Sequence, residues 1–182
     1  MAHIDASEIL RGAIWLRPTG DALERINKAV RVAHKHGGGT PMQPHVTLLS
    51  GMETTRASAE LKLKHLASRL KPFTVKLGRI EWRADYFRCL CAAVELSAEL
   101  AGAQRDAYDA FEMKPAPPFE PHLSLLYGNL DEATKKKLAA QLGGKLDVSF
   151  EVRALHLVNA SMGVPASEWR TLAEHTLTRG KN

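Results

Sequence analysis

The chain writes PHVTLLSG at residues 44–51 and PHLSLLYG at residues 121–128. The Pro, the His, both Leu and the Gly are identical, and Thr47 becomes Ser124, which keeps a hydroxyl. Each copy reads as a short strand, in which successive side chains point to opposite faces. His45 and Thr47 then share one face, and Val46 and Leu48 the other. In the second copy His122 and Ser124 share a face opposite Leu123 and Leu125. The apolar pairs need a core, so the His and hydroxyl pairs face away from it. Two copies related by an approximate two-fold bring these polar faces together across a cleft.

The surroundings repeat as well. Residues 12–17 read as a first strand ended by Pro18. A helix follows, with Leu23, Ile26, Val30 and Ala33 on one face, Asp21 as its N-cap and Gly37 to Gly39 as its stop. After the first motif, Ala59, Leu63, Leu66 and Leu70 mark a helix over about 55–70, capped by Thr54 or Thr55. FTVKLGRIEW (73–82) and YFRCLCAAVEL (86–96) are rich in β-branched and aromatic residues and read as a hairpin linked by 83–85. Ser97 opens a helix to about 113, with Leu100, Ala103, Ala107 and Phe111 inward, and a Pro-rich loop at 114–121 delivers the second motif strand. A helix over 131–142 opened by Asp131, a strand over 147–158 and a last strand near 168–177 complete the plan. The order helix, motif strand, helix, strand, strand thus occurs twice, with the two His 77 residues apart. This is a duplicated unit rather than a solenoid, because two copies cannot stack into an array. The expected fold is α+β: residues 1–182 form a single bilobal domain of two intertwined, pseudo-symmetric lobes. Each lobe is an antiparallel sheet with helices packed outside, and each gives one motif strand to a central cleft. The Pro-rich loop and the links near 97 are the expected crossings between lobes.

Composition limits the functional classes. A chain of 182 residues with 45% hydrophobic and 25% charged residues buries a core without staples. The net charge of +5 suits an anionic ligand, but no dense Lys/Arg run marks a nucleic-acid surface. Lys135 to Lys137 read as a solvated helix face. Cys89 and Cys91, two apart on a strand, face the same side and read as reduced thiols packed as small hydrophobes, which fits a reducing compartment. Two Cys without further ligands make no metal site. The sequence shows neither a signal peptide nor a transmembrane span, so the expected location is cytoplasmic, without a membrane partner, and the expected state is a monomer.

Two imidazoles suit a reaction needing a base and an acid near neutral pH. Two hydroxyls suit an anion with several oxygens. A cyclic phosphodiester attacked by water meets all four demands, and the ring holds the leaving oxygen in place, so no metal or cofactor is called for. His-x-[Ser/Thr] by itself is weak: about one match is expected by chance in such a composition. Two matches inside one longer frame, each on a strand between a loop and a helix, are more specific than that.

With these residues in view, the chain resembles the 2H phosphoesterase superfamily, which is defined by two His-x-[Ser/Thr] motifs, and within it the cyclic phosphodiesterases of plants and yeast. PFEPHLSLLYGNLDEATKKK, PHVTLLSG, YFRCL and SEWRTLAEHTL carry the likeness. The resemblance implies a metal-independent hydrolase acting on ADP-ribose 1″,2″-cyclic phosphate or nucleoside 2′,3′-cyclic phosphates. It implies His45 and His122 as the catalytic pair, Thr47 and Ser124 as ligands of the phosphoryl oxygens, and Tyr127 as a further substrate-binding residue. His122 is assigned as the base and His45 as the acid, an order that two like imidazoles leave open to exchange. Two alternatives stand beside this: an enzyme opening 2′,3′-cyclic ends of RNA, and a nucleotide- or RNA-binding module without catalysis. Trp15, Trp82 and Trp169 could stack a base but are expected in core or edge packing. His156 is expected as a packed core histidine, and His34, His36 and His65 as surface residues.

Overall fold

Among the described residues, three of the four long helices start at a side-chain cap written into the sequence. The structure, a computed structural model, describes residues 8–39, 42–114, 118–161 and 163–178. Thr55, Ser97 and Asp131 each accept a hydrogen bond from the backbone N–H three residues on, opening α2 (Arg56–Arg69), α3 (Ala98–Ala110) and α4 (Glu132–Gln141). The exception is α1 (Gly20–Gly37). Its N-cap is Thr19, not Asp21, and Thr19 makes no side-chain cap; Asp21 sits in the first turn, where a carboxylate suits the positive end of the helix. Gly38, at φ 68°, ends α1 in a conformation that few other residues adopt.

Among the described residues the strands are β1 (Ile9–Leu16), β2 (Val46–Thr55), β3 (Phe73–Glu81), β4 (Leu90–Val94), β5 (His122–Leu126), β6 (Ser149–Val152), β7 (Ala154–Val158) and β8 (Thr171–Thr176). They form one antiparallel sheet in the order β6-β3-β4-β5-β2-β1-β7-β8. The motif strands β2 and β5 are neighbours at its centre, joined through Val46 and Leu123. On either side the plan is mirrored: β1 flanks β2 as β4 flanks β5. The helices cover the other face, α1 against β5 and α4, α2 against β7 and β8, and α3 against β2. Val46, Leu48, Leu123 and Leu125 are each at most 1% exposed there. Burying one such side chain contributes about 1.5–3 kcal/mol, and the pattern of two forces the intervening His, Thr and Ser to the opposite face.

Several expectations need correction. Residues 147–158 are not one strand. The chain breaks at Arg153, with β6 paired to β3 at one end of the sheet and β7 paired to β1 near the other. A single residue reaches only one Cα–Cα step to each neighbour, so the sheet curls until these two ends meet. The crossings between halves are therefore α2 and Arg153. The Pro-rich loop and the links near 97 both lie between β4 and β5, which are neighbours; residues 115–117 of that loop lie outside the described residues. Tyr86–Arg88 form a short 3-10 helix instead of the start of β4. Cys89 follows it in a helical conformation, which breaks the alternation: Cys89 joins the core, whereas Cys91 pairs with Ser124 on the other face. Lys135 is not solvated. It is 7% exposed, and its Nζ donates to the Arg83 carbonyl at 2.8 Å, while Lys136 and Lys137 are exposed. Leu23 leaves the core stripe of α1 and is only partly buried.

Candidate active site

The polar faces of β2 and β5 open on a cleft of about 480 Å³ lined by His45, Thr47, His122, Ser124 and Tyr127 together with Trp15, Phe87 and Trp169. All five residues singled out by the sequence are thus brought to one place. Two loops of the opposing halves carry the aromatic rim: Phe87 from the turn before β4 and Trp169 from the turn before β8. Their rings lie 6.0 Å apart and nearly parallel.

The two histidines are held alike. His45 Nδ1 donates to the Gln43 carbonyl at 2.6 Å, and His122 Nδ1 donates to the Glu120 carbonyl at 3.0 Å. A carbonyl only accepts, so Nδ1 carries the proton and the neutral ring keeps its lone pair on Nε2. Their surroundings differ. His45 is 6% exposed and stacks flat on Trp15, with ring centres 3.5 Å apart at an angle of 8°. Burial pushes its pKa down to about 3, and the charges of Arg17 and His122 add to the effect, outweighing the opposing bond to Gln43. His122 is half-buried, and burial lowers its pKa too, with Arg88 acting in the same direction and Glu120 and Asp85 against it.

Ser124 is 5% exposed, and its hydroxyl donates to the Phe87 carbonyl at 2.8 Å. The Tyr127 phenol, 3% exposed, shares a hydrogen bond with Ser124, and burial keeps it from ionising. Thr47 is partly exposed to the cleft. Trp82 lies elsewhere: its Nε1 donates to Glu132 on α4 at 2.5 Å. His65 and His36 are at the surface as expected, whereas His34 is partly buried with its Nε2 shut from water. His156 is buried, but on the cleft side of the sheet rather than in the apolar core. Trp15, Phe87 and Trp169 are the cleft residues that sequence reasoning underweighted. For Trp15 the usable signal was parity: it lies on the strand beside the first motif and pairs with Thr47. Among the described residues no group of three or more His, Cys, Asp or Glu is placed to hold a metal ion, and no helix is long and apolar enough to cross a membrane.

The sequence pattern of the 2′-5′ RNA ligase superfamily matches residues 17–163, a stretch that contains both motifs. The chain belongs to the 2′-5′ RNA ligase superfamily. These are the 2H phosphoesterases of the motif resemblance, and the chain is accordingly an enzyme of phosphodiester chemistry. A cyclic phosphodiesterase of Arabidopsis thaliana is 26% identical over 166 residues, covering 88% of this chain and 92% of the plant protein. Among solved structures, Escherichia coli LigT complexed with 3′-AMP superposes with a TM-score of 0.65 at 17% identity, covering 94% of this chain and all of LigT. A Thermus thermophilus protein, TT0787, gives 0.63 at 16% identity over 92% of this chain and 98% of its own. At these identities the two structures speak for the fold.

Proposed function

We propose that this superfamily member hydrolyses small nucleotide-derived cyclic phosphates, namely nucleoside 2′,3′-cyclic phosphates and ADP-ribose 1″,2″-cyclic phosphate, without a metal. The observation that carries this reading is the pair of imidazoles on adjacent antiparallel strands, each fixed through Nδ1 to the carbonyl two residues before it, so that both Nε2 atoms are left for one ligand. The Arabidopsis relative is named a cyclic phosphodiesterase, and the LigT structures complexed with 3′-AMP and with ATP place nucleotides on this fold.

The proposed step balances without a cofactor. His122 takes a proton from water as its oxygen attacks phosphorus. The ring P–O bond breaks, and His45 gives its proton to the departing ribose oxygen, leaving a phosphomonoester. Burial makes His45 resist protonation, so this assignment needs an anion beside it; the phosphate supplies one. The indole face of Trp15 also favours an imidazolium over neutral imidazole. Thr47 and Ser124 donate to the phosphoryl oxygens, for which the Ser124 hydroxyl turns away from the Phe87 carbonyl. Acid–base catalysis of this kind contributes about 10²–10⁴-fold. We further propose a monomer in a reducing, cytoplasmic setting: one chain supplies the whole cleft, and both cysteines are free and buried.

The test is ³¹P NMR of a nucleoside 2′,3′-cyclic phosphate incubated with the protein in EDTA. Ring opening to a monoester, lost by about 10²-fold or more in His45→Ala and in His122→Ala, supports the reading. Unchanged substrate with measurable binding points instead to a module without catalysis. A cyclic-ended oligonucleotide turned over faster than the mononucleotide would move the assignment to RNA ends.

A further inference from the structure

A second pocket lies past the end of β1, lined by residues of β7 and β8 and by the start of α1. On β1 the residues at 11, 13 and 15 line the cleft, and Arg17, next in the same alternation, lines the neighbouring pocket. His156, the β7 partner of Trp15, lines it as well. The stacked Trp15 and His45 line the cleft, and their near neighbours Arg17, Gln43 and Pro44 line the second pocket. This pocket measures about 640 Å³, and its polar lining includes Thr19, Asn27, His156, Glu174 and Thr176.

Arg17 differs from the other arginines around the cleft. Arg11 is paired with Glu53 at 3.0 Å, Arg88 with Asp85 and Glu120 at 2.9 and 3.0 Å, and Arg153 with Glu151. Arg17 is half-buried, its Nη1 donates to the Thr171 hydroxyl at 3.0 Å, and its guanidinium lies 5.9 Å from the centre of the Trp15 ring. No carboxylate among the described residues comes within 4.0 Å of it; Glu174 acts on it only from farther away. A guanidinium drawn out of water without an anion is costly, and burial lowers its pKa accordingly. A second group in the pocket is also left short. His156 is 9% exposed, and its Nδ1 is shut from water without a hydrogen-bond partner, the Glu174 carboxylate standing 3.5 Å away. Thr19, at the uncapped start of α1, adds backbone donors at the positive end of an 18-residue helix.

We infer that this pocket is a second anion subsite, in which Arg17 binds a phosphate or diphosphate carried on the 5′ side of the ribose whose cyclic phosphate lies between His45 and His122. The inference rests on the proposed hydrolysis and narrows its substrate class to ribose cyclic phosphates bearing a second, distal phosphate. Glu151 and Glu174 oppose an anion here. Arg153 neutralises the first, and an incoming phosphate favours protonation of His156, which neutralises the second.

The test compares a nucleoside 2′,3′-cyclic phosphate with the same compound carrying a 5′-diphosphate, in the wild type, Arg17→Gln and Arg17→Lys. Any effect of Arg17 on His45 is common to both substrates and cancels in their ratio. The expected result is a KM at least about tenfold lower for the diphosphate in the wild type, in line with one charge-assisted contact. That ratio falls towards one in Arg17→Gln and is partly kept in Arg17→Lys. Equal KM values in the wild type, or a preference that survives Arg17→Gln, overturn the subsite while the enzyme reading stands. If neither compound is hydrolysed, the enzyme reading fails, and calorimetry with inorganic pyrophosphate decides the subsite. Binding weakened about tenfold by Arg17→Gln but not by His122→Ala upholds it; no binding, or equal loss in both, ends it.

Discussion

An imidazole stacked flat on an indole and shut away from water resists a second proton. For His45 this has two consequences. The pKa values of both histidines lie below the ordinary 6.5, so the bell-shaped pH dependence of kcat/KM is expected to centre on the acid side of that value. The profile of kcat, which reports the enzyme with phosphate bound, is expected at higher pH, because the anion favours imidazolium. Steady-state kinetics from pH 4 to 9 checks both, and a kcat/KM profile centred above neutrality contradicts the burial argument. The second consequence is for stability. The folded pKa of about 3 lies below the unfolded 6.5, so the unfolded chain binds the extra proton. Stability is therefore complete above pH 6.5 and declines as pH falls from there towards 3. At about 1.4 kcal/mol per unit the total is on the order of a few kcal/mol. Urea melts of His45→Gln are expected to show a shallower decline over that window. At this scale the duplicated motif made His45, His122, Thr47 and Ser124 legible, because alternation alone puts them on one face. Trp15, Phe87 and Trp169 were not, since an aromatic residue in or near a strand reads the same whether it meets a core or a ligand.

Among the elements, the glycines after α1 do more than stop a helix. Gly39 has φ 83°, and a Cβ there would stand 2.4 Å from the Tyr127 carbonyl. The chain entering the first motif strand thus lies directly on the end of the second. Gly39→Ala is expected to cost about 1–3 kcal/mol from backbone strain and to displace Tyr127, lowering both the urea midpoint and activity. Ser97→Ala, by contrast, removes the cap of α3 far from the cleft. It is expected to cost about 1 kcal/mol with kcat/KM unchanged. The caps at Thr55, Ser97 and Asp131 were readable because each is a local bond between residues three apart. The break at Arg153 was not. VSFEVRALHLV (148–158) has no Gly or Pro, its alternation slips phase where Ala154 and Leu155 adjoin, and it is the sheet, through partners far off in sequence, that divides it into β6 and β7.

For the whole molecule, the interleaving of the halves matters more than their likeness. β3, in one half, follows α2, which packs on the other half, and β7 returns across Arg153. One half of the sheet, β2-β1-β7-β8, therefore draws strands from both ends of the chain, while the other, β6-β3-β4-β5, is built from the middle. We expect one cooperative transition, with far-UV circular dichroism and calorimetry coincident. Fragments 1–113 and 118–182 are expected not to fold separately. Two resolved transitions, or a folded fragment, would show independent lobes. The overall plan of a duplicated α+β unit with intertwined halves was legible from the repeat, whereas the places where the chain crosses between them were not, because they depend on sheet order rather than on any local pattern.

The flat contact between Trp15 and His45 also makes the protein its own indicator. An excited indole loses an electron readily to a charged imidazolium and much less readily to a neutral one. The light emitted by Trp15 should therefore dim when His45 gains its proton, whether from acid or from a phosphate entering the cleft. Occupancy of the cleft is then expected to be readable optically, without a label.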